Sequence, residues 1–435
     1  MVNNRTVTVN GTVKERIAPF QWNSKMQGYV LSSFFYGYIL TQFAGGYLAR
    51  RFGAKYLFGG GIAITGLLTL FTPVLAKVNV WVLVASRVLM GICEGVTFPA
   101  IHTLWSKWAP PLERSKLAIT TFSGAYSGTV VAMIISGLMA EHLNWEAIFY
   151  FFGGLAIAWF MVWCLLITES PQTHPSITRL ELEYIEHSIG FSDKKADSQA
   201  TPWKSIFTSL PVMAITVAHF GENWGFYTLL TGLPSFMNNV FHFSLQKSGF
   251  LAALPYLVMA LAAQLGGNFA DCLRGRLGCS TTLVRKLFNA VAFSGQAIFL
   301  IIVGFTPNIN AAVVSLTLAV GLGGFCYAGF AVNHLDIAPQ YAGILMGITN
   351  TVATIPGIVS PIITGQIVQH KLASEWRIVF FIAAAIYLAS MVVYVIFASG
   401  ETQQWAKIAN GYEVHSTLTD VEEEDEEDEK NETVH

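Results

Sequence analysis

Eleven stretches of roughly twenty mostly apolar residues divide this chain, near 27–49, 56–76, 79–106, 116–140, 146–167, 210–237, 247–268, 284–304, 310–333, 341–367 and 376–398. A bilayer core of about 30 Å takes about 20 apolar residues to cross as a helix. In hydrocarbon the backbone groups must bond within their own segment. Eleven such runs leave an all-α, multi-pass membrane protein as the architecture. Composition agrees: the 435 residues are 53% hydrophobic and 12% charged, against about 25% charged in a soluble chain. Glycine and proline inside the runs, as in Gly59-Gly60-Gly61 and Pro356-Gly357, suit helices that approach closely or bend in a bundle.

Basic residues fix the orientation. Arg50, Arg51 and Lys55 follow the first run, Lys107, Arg114 and Lys116 the third, Arg179, Lys194, Lys195 and Lys204 the fifth, and Arg274, Arg276, Arg285 and Lys286 the seventh. The alternate loops carry one or two basic residues or none. The positive-inside rule places the basic loops in the cytosol, and with them the acidic run that closes the chain, Val421 to Lys430. Such a run reads as a solvated tail. The N-terminal segment then lies outside or in a lumen, where Asn4-Arg5-Thr6 and Asn10-Gly11-Thr12 are glycosylation sequons at Asn4 and Asn10. The polar residues Met1 to Lys14 are not a cleavable signal peptide.

Segments repeat at a spacing of roughly 220–230 residues. Gly45-Gly46-Tyr-Leu-Ala-Arg50-Arg51 echoes Gly266-Gly267-Asn-Phe-Ala-Asp271-Cys-Leu-Arg274, Ala109-Pro110 echoes Ala338-Pro339, and Trp145 with Phe149 echoes Trp376 with Phe380. Both members of each pair fall on the same side, so the repeats are parallel, the mark of the major facilitator plan. The expected division is an outside segment 1–26, an N-terminal bundle 27–167, a cytosolic linker 168–209, a C-terminal bundle 210–399 and an acidic tail 400–435. The first bundle then has five spans and the second six. The counterpart of 210–237 is the helix expected to be missing, and a shortened chain is the favoured explanation.

Charge at membrane depth costs at least about 2.5–3.5 kcal/mol and marks function by default. Arg87 is the one basic residue deep inside a run, and Glu94 and Glu222 are the acids at depth. Arg87 reads as an anion site; the simpler alternative is a structural ion pair with Glu94. Arg87, Gly91, Glu94 and Phe98 share a helix face. His102, beyond Pro99, is either a helix-end histidine bonded to backbone or a proton relay. His219, Glu222, Asn223, Tyr227 and Thr228 put a polar stripe on the sixth span, Tyr36 and Tyr38 add hydroxyls to the aromatic lining of the first, and Asn333-His334-Leu-Asp336 ends the ninth. From these, Tyr36, Asn223, Tyr227 and Asn333 join Arg87 as substrate-site candidates, and Glu222 joins Glu94 and His102 as an ion-coupling candidate. Asp271 and Arg274, with Arg50 and Arg51, read as interhelix latches or as plain topology charges. Cys93, Cys164, Cys272, Cys279 and Cys326 show no metal-ligand spacing and read as small core hydrophobes. Neither a phosphate-binding loop nor a nucleophile motif is present, so the chain does not read as an enzyme, and no metal, cofactor or nucleic-acid partner is expected.

These residues resemble a known family. Ser32-Ser33-Phe34-Phe35-Tyr36-Gly37-Tyr38 with Thr41-Gln42, then Arg87 with Glu94-Gly95-Val96-Thr97-Phe98-Pro99-Ala100, then Trp105-Ser106-Lys107-Trp108-Ala109-Pro110-Pro111-Leu112-Glu113-Arg114-Ser115 are similar to the anion:cation symporters. These include sialin, the vesicular glutamate transporters and the type I sodium-phosphate cotransporters. Asn333 to Pro339, Gly347 to Thr351 and Phe397 to Glu401 match as well, and Asn223-Trp224 with Gly323-Gly324-Phe325-Cys326 match sialin-like members best. The resemblance implies proton- or sodium-coupled transport of anions, with Arg87 on the substrate, Glu94 as coupling carboxylate and His102 as relay. The chain departs from the glutamate transporters at Glu222, where they carry arginine, and at Leu31, where they carry histidine. It departs from sialin at Met90, where sialin has a second glutamate.

The expected function is cation-coupled, foremost proton-coupled, symport of organic anions such as acidic sugars or acidic amino acids. Sodium-dependent phosphate cotransport is the alternative within transport, and a truncated, non-transporting regulatory membrane protein the alternative outside it. The expected partners are a small anion and the lipid bilayer, with the chain acting as a monomer in a lysosomal, vesicular or plasma membrane.

Overall fold

The computed structural model describes residues 5–9, 12–16, 19–22, 24–189, 201–241, 245–306 and 308–407. The sequons at Asn4 and Asn10 lie outside the described residues. A two-stranded antiparallel hairpin, β1 (Arg5–Val9) with β2 (Thr12–Arg16), precedes the helices.

The N-terminal half comprises α1 (Ser24–Phe52), α2 (Ala54–Val78), α3 (Val80–Glu94), α4 (Thr97–Trp108), α5 (Arg114–His142) and α6 (Trp145–Leu166). Two short linker helices, α7 (Arg179–Ile189) and α8 (Trp203–Thr208), lead to the C-terminal half. That half comprises α9 (Leu210–Phe241), α10 (Leu245–Gly275), α11 (Thr281–Phe305), α12 (Ile309–Gly323), α13 (Phe330–Ile337), α14 (Ala342–Ile367) and α15 (Ala373–Phe397), with a last turn α16 (Gln404–Lys407). Helices start where the sequence offers a side-chain acceptor for the free N–H groups. Asn79 accepts from Trp81, Asn144 from Ala147, Ser280 from Leu283, and Asn308 from Asn310 and Ala311. At α2 the acceptor is remote: Glu169 takes the N–H groups of Ala54 and Lys55 at 3.0 and 2.8 Å and pairs with Lys107 at 2.8 Å. One carboxylate thus ties the cytosolic ends of α2, α4 and α6.

Nine helical spans among the described residues are long and apolar enough to cross a membrane. The sequence also places spans at α1 and α9. These helices are long enough, at 29 and 32 residues. Their polar side chains, such as Gln42 in α1 and His219, Glu222 and Asn223 in α9, dilute the apolar signal because both helices face the centre. Burial separates centre from periphery: 67% of the apolar window of α14 is buried, against 6% for α6. Leu165 and Leu166 of α6, 82% and 64% exposed, are surface that only lipid can cover.

The repeat seen in sequence is a repeat in space. α1 lies along α14 and α10 along α5, one contact between the halves and its symmetric copy. Two spans differ from the continuous helices expected over 79–106 and 310–333. Both still run as single spans, Val80–Trp108 and Ile309–Ile337, but the third is irregular at Gly95 and Val96, whose backbone stays helical, between α3 and α4, and the ninth passes through a 3-10 segment, Gly324–Ala328, between α12 and α13. Hydropathy registers neither break, since the residues there stay apolar or small. The two irregular turns occupy corresponding positions of the two halves.

Candidate functional site

The first break is held by close packing of α1 on α3. A Cβ on Gly37 would collide with the Val88 carbonyl, and one on Gly91 with the Phe34 carbonyl, so each helix approaches the other through a glycine. The carbonyls at the break find hydroxyl donors: Thr41 Oγ1 donates to Ile92 O at 2.9 Å and Thr97 Oγ1 to Glu94 O at 2.7 Å. Glu94 therefore lies at the irregular turn between α3 and α4.

Arg87 lies seven residues earlier, about 10 Å along the helix. Its guanidinium is 6.0 Å from the ring centre of Phe34. The residue is partly buried, and its buried Nε has no hydrogen-bond partner. Among the described residues no salt bridge joins it to Glu94. A guanidinium with an unused donor has the geometry that pairs with a carboxylate or phosphate.

Across the interface Tyr227 sets its ring edge-on to Phe35 of α1 at 5.8 Å and packs against Gly357 of α14. Asn223 donates to the Ala353 carbonyl at 2.8 Å. Tyr36 is 47% exposed, beside the Ser32 hydroxyl at 3.4 Å. Asn350 Nδ2 donates to the Tyr38 hydroxyl at 3.4 Å, again between the halves. Arg87 and Tyr227 are joined through Phe34 and Phe35 of α1, whose rings meet edge-on at 5.6 Å; Tyr36 lies on the same helix, half-exposed. Asn333 does not join them: it is fully buried in the C-terminal half and donates to the Tyr394 hydroxyl at 2.9 Å.

The three ion-coupling candidates stand in three separate places. Glu94 ends α3. Glu222 is buried inside the C-terminal half, accepting from Gln296 Nε2 at 2.9 Å. His102 sits at the interface with Nδ1 3.1 Å from Phe98 O and Nε2 3.3 Å from Ala331 O, so each ring nitrogen faces a carbonyl, one from each half. The Ala331 carbonyl also accepts from His334 Nδ1 at 3.0 Å. That fixes the His334 tautomer: Nε2 accepts from the Thr349 hydroxyl at 2.9 Å, and His219 Nδ1–H donates to Thr349 at 3.1 Å. His102, His334 and His219 therefore form one buried chain from α4 to α9.

The halves meet closely at the end that carries the basic loops. Asp271 of α10 accepts from the Lys116 backbone N–H of α5 at 2.7 Å, and Arg274 donates to the Pro111 carbonyl at 2.8 Å. Arg51 is not part of this contact: it is exposed, its guanidinium 5.8 Å from the Phe52 ring. Its neighbour Arg50 crosses instead, lying 4.9 Å over the Tyr341 ring. Residues that sequence reading missed complete the closure. Arg114 donates to Leu335 O at 2.7 Å and stands 3.9 Å from Asp336, which Arg285 holds in a fork at 2.7 and 3.3 Å. All three are buried. In sequence Arg114, between Glu113 and Ser115, and Arg285, beside Lys286, look like topology charges. The contact between α1 and α14 is as tight, since a Cβ on Gly46 would collide with the Gly343 backbone. The two halves are closed on each other at the end that carries the basic loops.

Two halves are related by repeats and closed on each other at one end, and comparison with known proteins decides the family. Residues 7–361 match the profile of the Major Facilitator Superfamily. The chain belongs to the major facilitator superfamily. This facilitator is 48% identical to human sialin over 388 residues, covering 89% of this chain and 78% of sialin. It is 45% identical to human vesicular glutamate transporter 2 over 409 residues, covering 93% of this chain and 70% of that protein. Among solved structures, the proton:xylose symporter XylE superposes with a TM-score of 0.69 at 15% identity, over 90% of this chain and 92% of XylE. The E. coli fucose:proton symporter FucP superposes with a TM-score of 0.59 at 13% identity, over 86% and 92%. The facilitator is a multi-pass integral membrane protein, and its relatives are transporters.

Proposed function

We propose that this facilitator is a proton-coupled symporter of small organic anions, acidic sugars or acidic amino acids, with Arg87 as the anion's landing point and Glu94 as the coupling carboxylate. One observation carries the reading: Arg87 is a partly buried cation with an unused donor, unpaired with the only carboxylate on its helix face. Kinship to proteins named vesicular glutamate transporters supports an acidic substrate.

An anion that binds Arg87 cancels its charge. A proton on Glu94 removes the remaining one, and a centre with no net charge crosses the low-dielectric midplane without the cost of an exposed ion. The halves then rock, which requires the cytosolic contacts of Arg114, Asp271 and Arg274 to part. Tyr227 and Phe35, which touch across the interface, flank the path.

Purified protein in proteoliposomes tests this through uptake of labelled glutamate, glucuronate, sialic acid and phosphate, with and without an inward proton gradient. Gradient-stimulated uptake of a carboxylate is expected. Uptake indifferent to the gradient discards the proton. Phosphate uptake that vanishes when choline replaces sodium would put sodium-phosphate cotransport in its place.

A further inference from the structure

The chain that leaves α15 returns to the surface that Arg114 grips. α13 ends at Ile337, and Pro339 follows with no N–H to offer the Leu335 carbonyl. The last carbonyls of a helix have no partner inside it. Three of those in α13 are met from elsewhere. Leu335 O accepts from Arg114 Nη1 of the first half. Asp336 O accepts from the Thr402 hydroxyl at 3.2 Å, and Ile337 O from the Gln403 backbone N–H at 2.8 Å. A strap from beyond α15 thus completes the end of α13, one residue along from the contact with the other half.

The strap, residues 398–407, is fastened along its length. Ala398 and Ala406 are buried. The Gly400 N–H donates to Thr282 Oγ1 at 2.8 Å, and a Cβ on Gly400 would collide with the Thr282 backbone nitrogen. Gln340 Nε2 donates to the Ala406 carbonyl. The Trp405 ring lies 6.0 Å from that of Tyr341, over which Arg50 of α1 sits at 4.9 Å. The stretch 335–343 is therefore held twice. The first half reaches it through Arg114 at Leu335, Arg50 at Tyr341 and Thr103 at Gly343. The strap reaches it at Asp336, Ile337, Gln340 and Tyr341.

We propose that Thr402, Gln403 and Trp405 are positioning residues of the closed end: the strap keeps 335–343 where Arg114 and Arg50 can reach it. Without the strap the Asp336 and Ile337 carbonyls lose their donors and the last turn of α13 frays. Leu335 then no longer presents its carbonyl to Arg114, and the two halves part more often. All the strap's own bonds are to the C-terminal half, so it acts on the contact between the halves without bonding to the first half. The assignment rests on the reading of the chain as a transporter whose halves part, and it adds a control on that parting from outside their interface.

The test is the rate of maleimide labelling of Ala118→Cys in the full-length purified protein, without substrate and corrected for the parent's own cysteines. Ala118 of α5 is buried in one apolar cluster with Leu335 and Ala342, so a cysteine there reacts when the halves part. Thr402→Val keeps the side chain's shape and deletes its hydrogen bond; Trp405→Ala removes the ring beside Tyr341. Each should label several-fold faster than Ala118→Cys alone, and Trp405→Phe should restore the slow rate. Arg114→Ala already gives up the Leu335 contact, so Trp405→Ala should speed labelling less in that background than in the parent. A merely structural loosening would multiply the two effects in full, and that result overturns the proposal. Unchanged labelling in both Thr402→Val and Trp405→Ala overturns it as well. The labelling needs no substrate, so a failure of the strap shows here, whereas a failure of the transport reading shows as absent uptake.

Discussion

Arg114 and Leu335 join the two halves at the cytosolic end: the Arg114 Nη1 donates to the Leu335 carbonyl at 2.7 Å with its guanidinium 4% exposed. A charge buried this deeply must be compensated, and Asp336, shared with Arg285, is the compensation. The contact makes cytosolic closure depend on three charges from three helices, one in the first half and two in the second.

Removing these charges should separate stability from gating. Asp336→Ala leaves Arg285 buried and unpaired within its own half, which costs about 3–5 kcal/mol and should show as a large fall in melting temperature. Arg114→Ala leaves the Arg285–Asp336 pair intact, so melting should stay near that of the parent while the cytosolic side opens more often. Maleimide labelling of Ala338→Cys in inside-out vesicles checks this: labelling several-fold faster in the Arg114→Ala background is expected.

Close approach of α14 to the first half should be needed for transport more than for folding. A Cβ on Gly343 would collide with the Thr103 hydroxyl and the Pro99 carbonyl. Overpacking of this kind costs about 1–3 kcal/mol, here charged only to the state closed toward the cytosol. Gly343→Val should reach the membrane in normal amount, show a more reactive cytosolic face in the same labelling, and lose most uptake.

Coupling should fail separately from binding at Glu94. Glu94→Gln mimics a permanently protonated side chain, so an inward proton gradient should no longer accelerate uptake, while exchange of labelled for unlabelled anion across the membrane persists. Proton-driven accumulation by this variant would move the coupling group elsewhere, with His102 next in line.

Much of this was legible in the sequence because lipid leaves strong marks. Apolar runs mark the spans, and the scarcity of charge at depth makes Arg87, Glu94 and Glu222 stand out. The two helix breaks were not legible: Gly95-Val96 and Gly324 to Ala328 are as apolar as the helices they interrupt, and a hydropathy pattern does not sense the backbone. The gate was hidden for another reason. Arg114 and Arg285 obey the positive-inside rule, which accounts for basic residues near the cytosol and says nothing of burial. Their shared partner Asp336 lies 222 and 51 positions away in the chain, so only the fold brings them together. Asn333 shows the converse. Beside His334 and Asp336 it read as site-lining, yet α13 turns it toward Tyr394 and away from the interface.

The central claim is that the Arg87 guanidinium receives the anion. Its most direct test is uptake of the transported anion by Arg87→Lys and Arg87→Ala in proteoliposomes, at matched protein amount and with melting profiles to confirm folding. A fork of donors is lost in lysine even though the charge stays. The account predicts that Arg87→Lys weakens the half-saturating anion concentration by about tenfold or more and that Arg87→Ala has no uptake. Saturable uptake by a folded Arg87→Ala with the parent's affinity would contradict it.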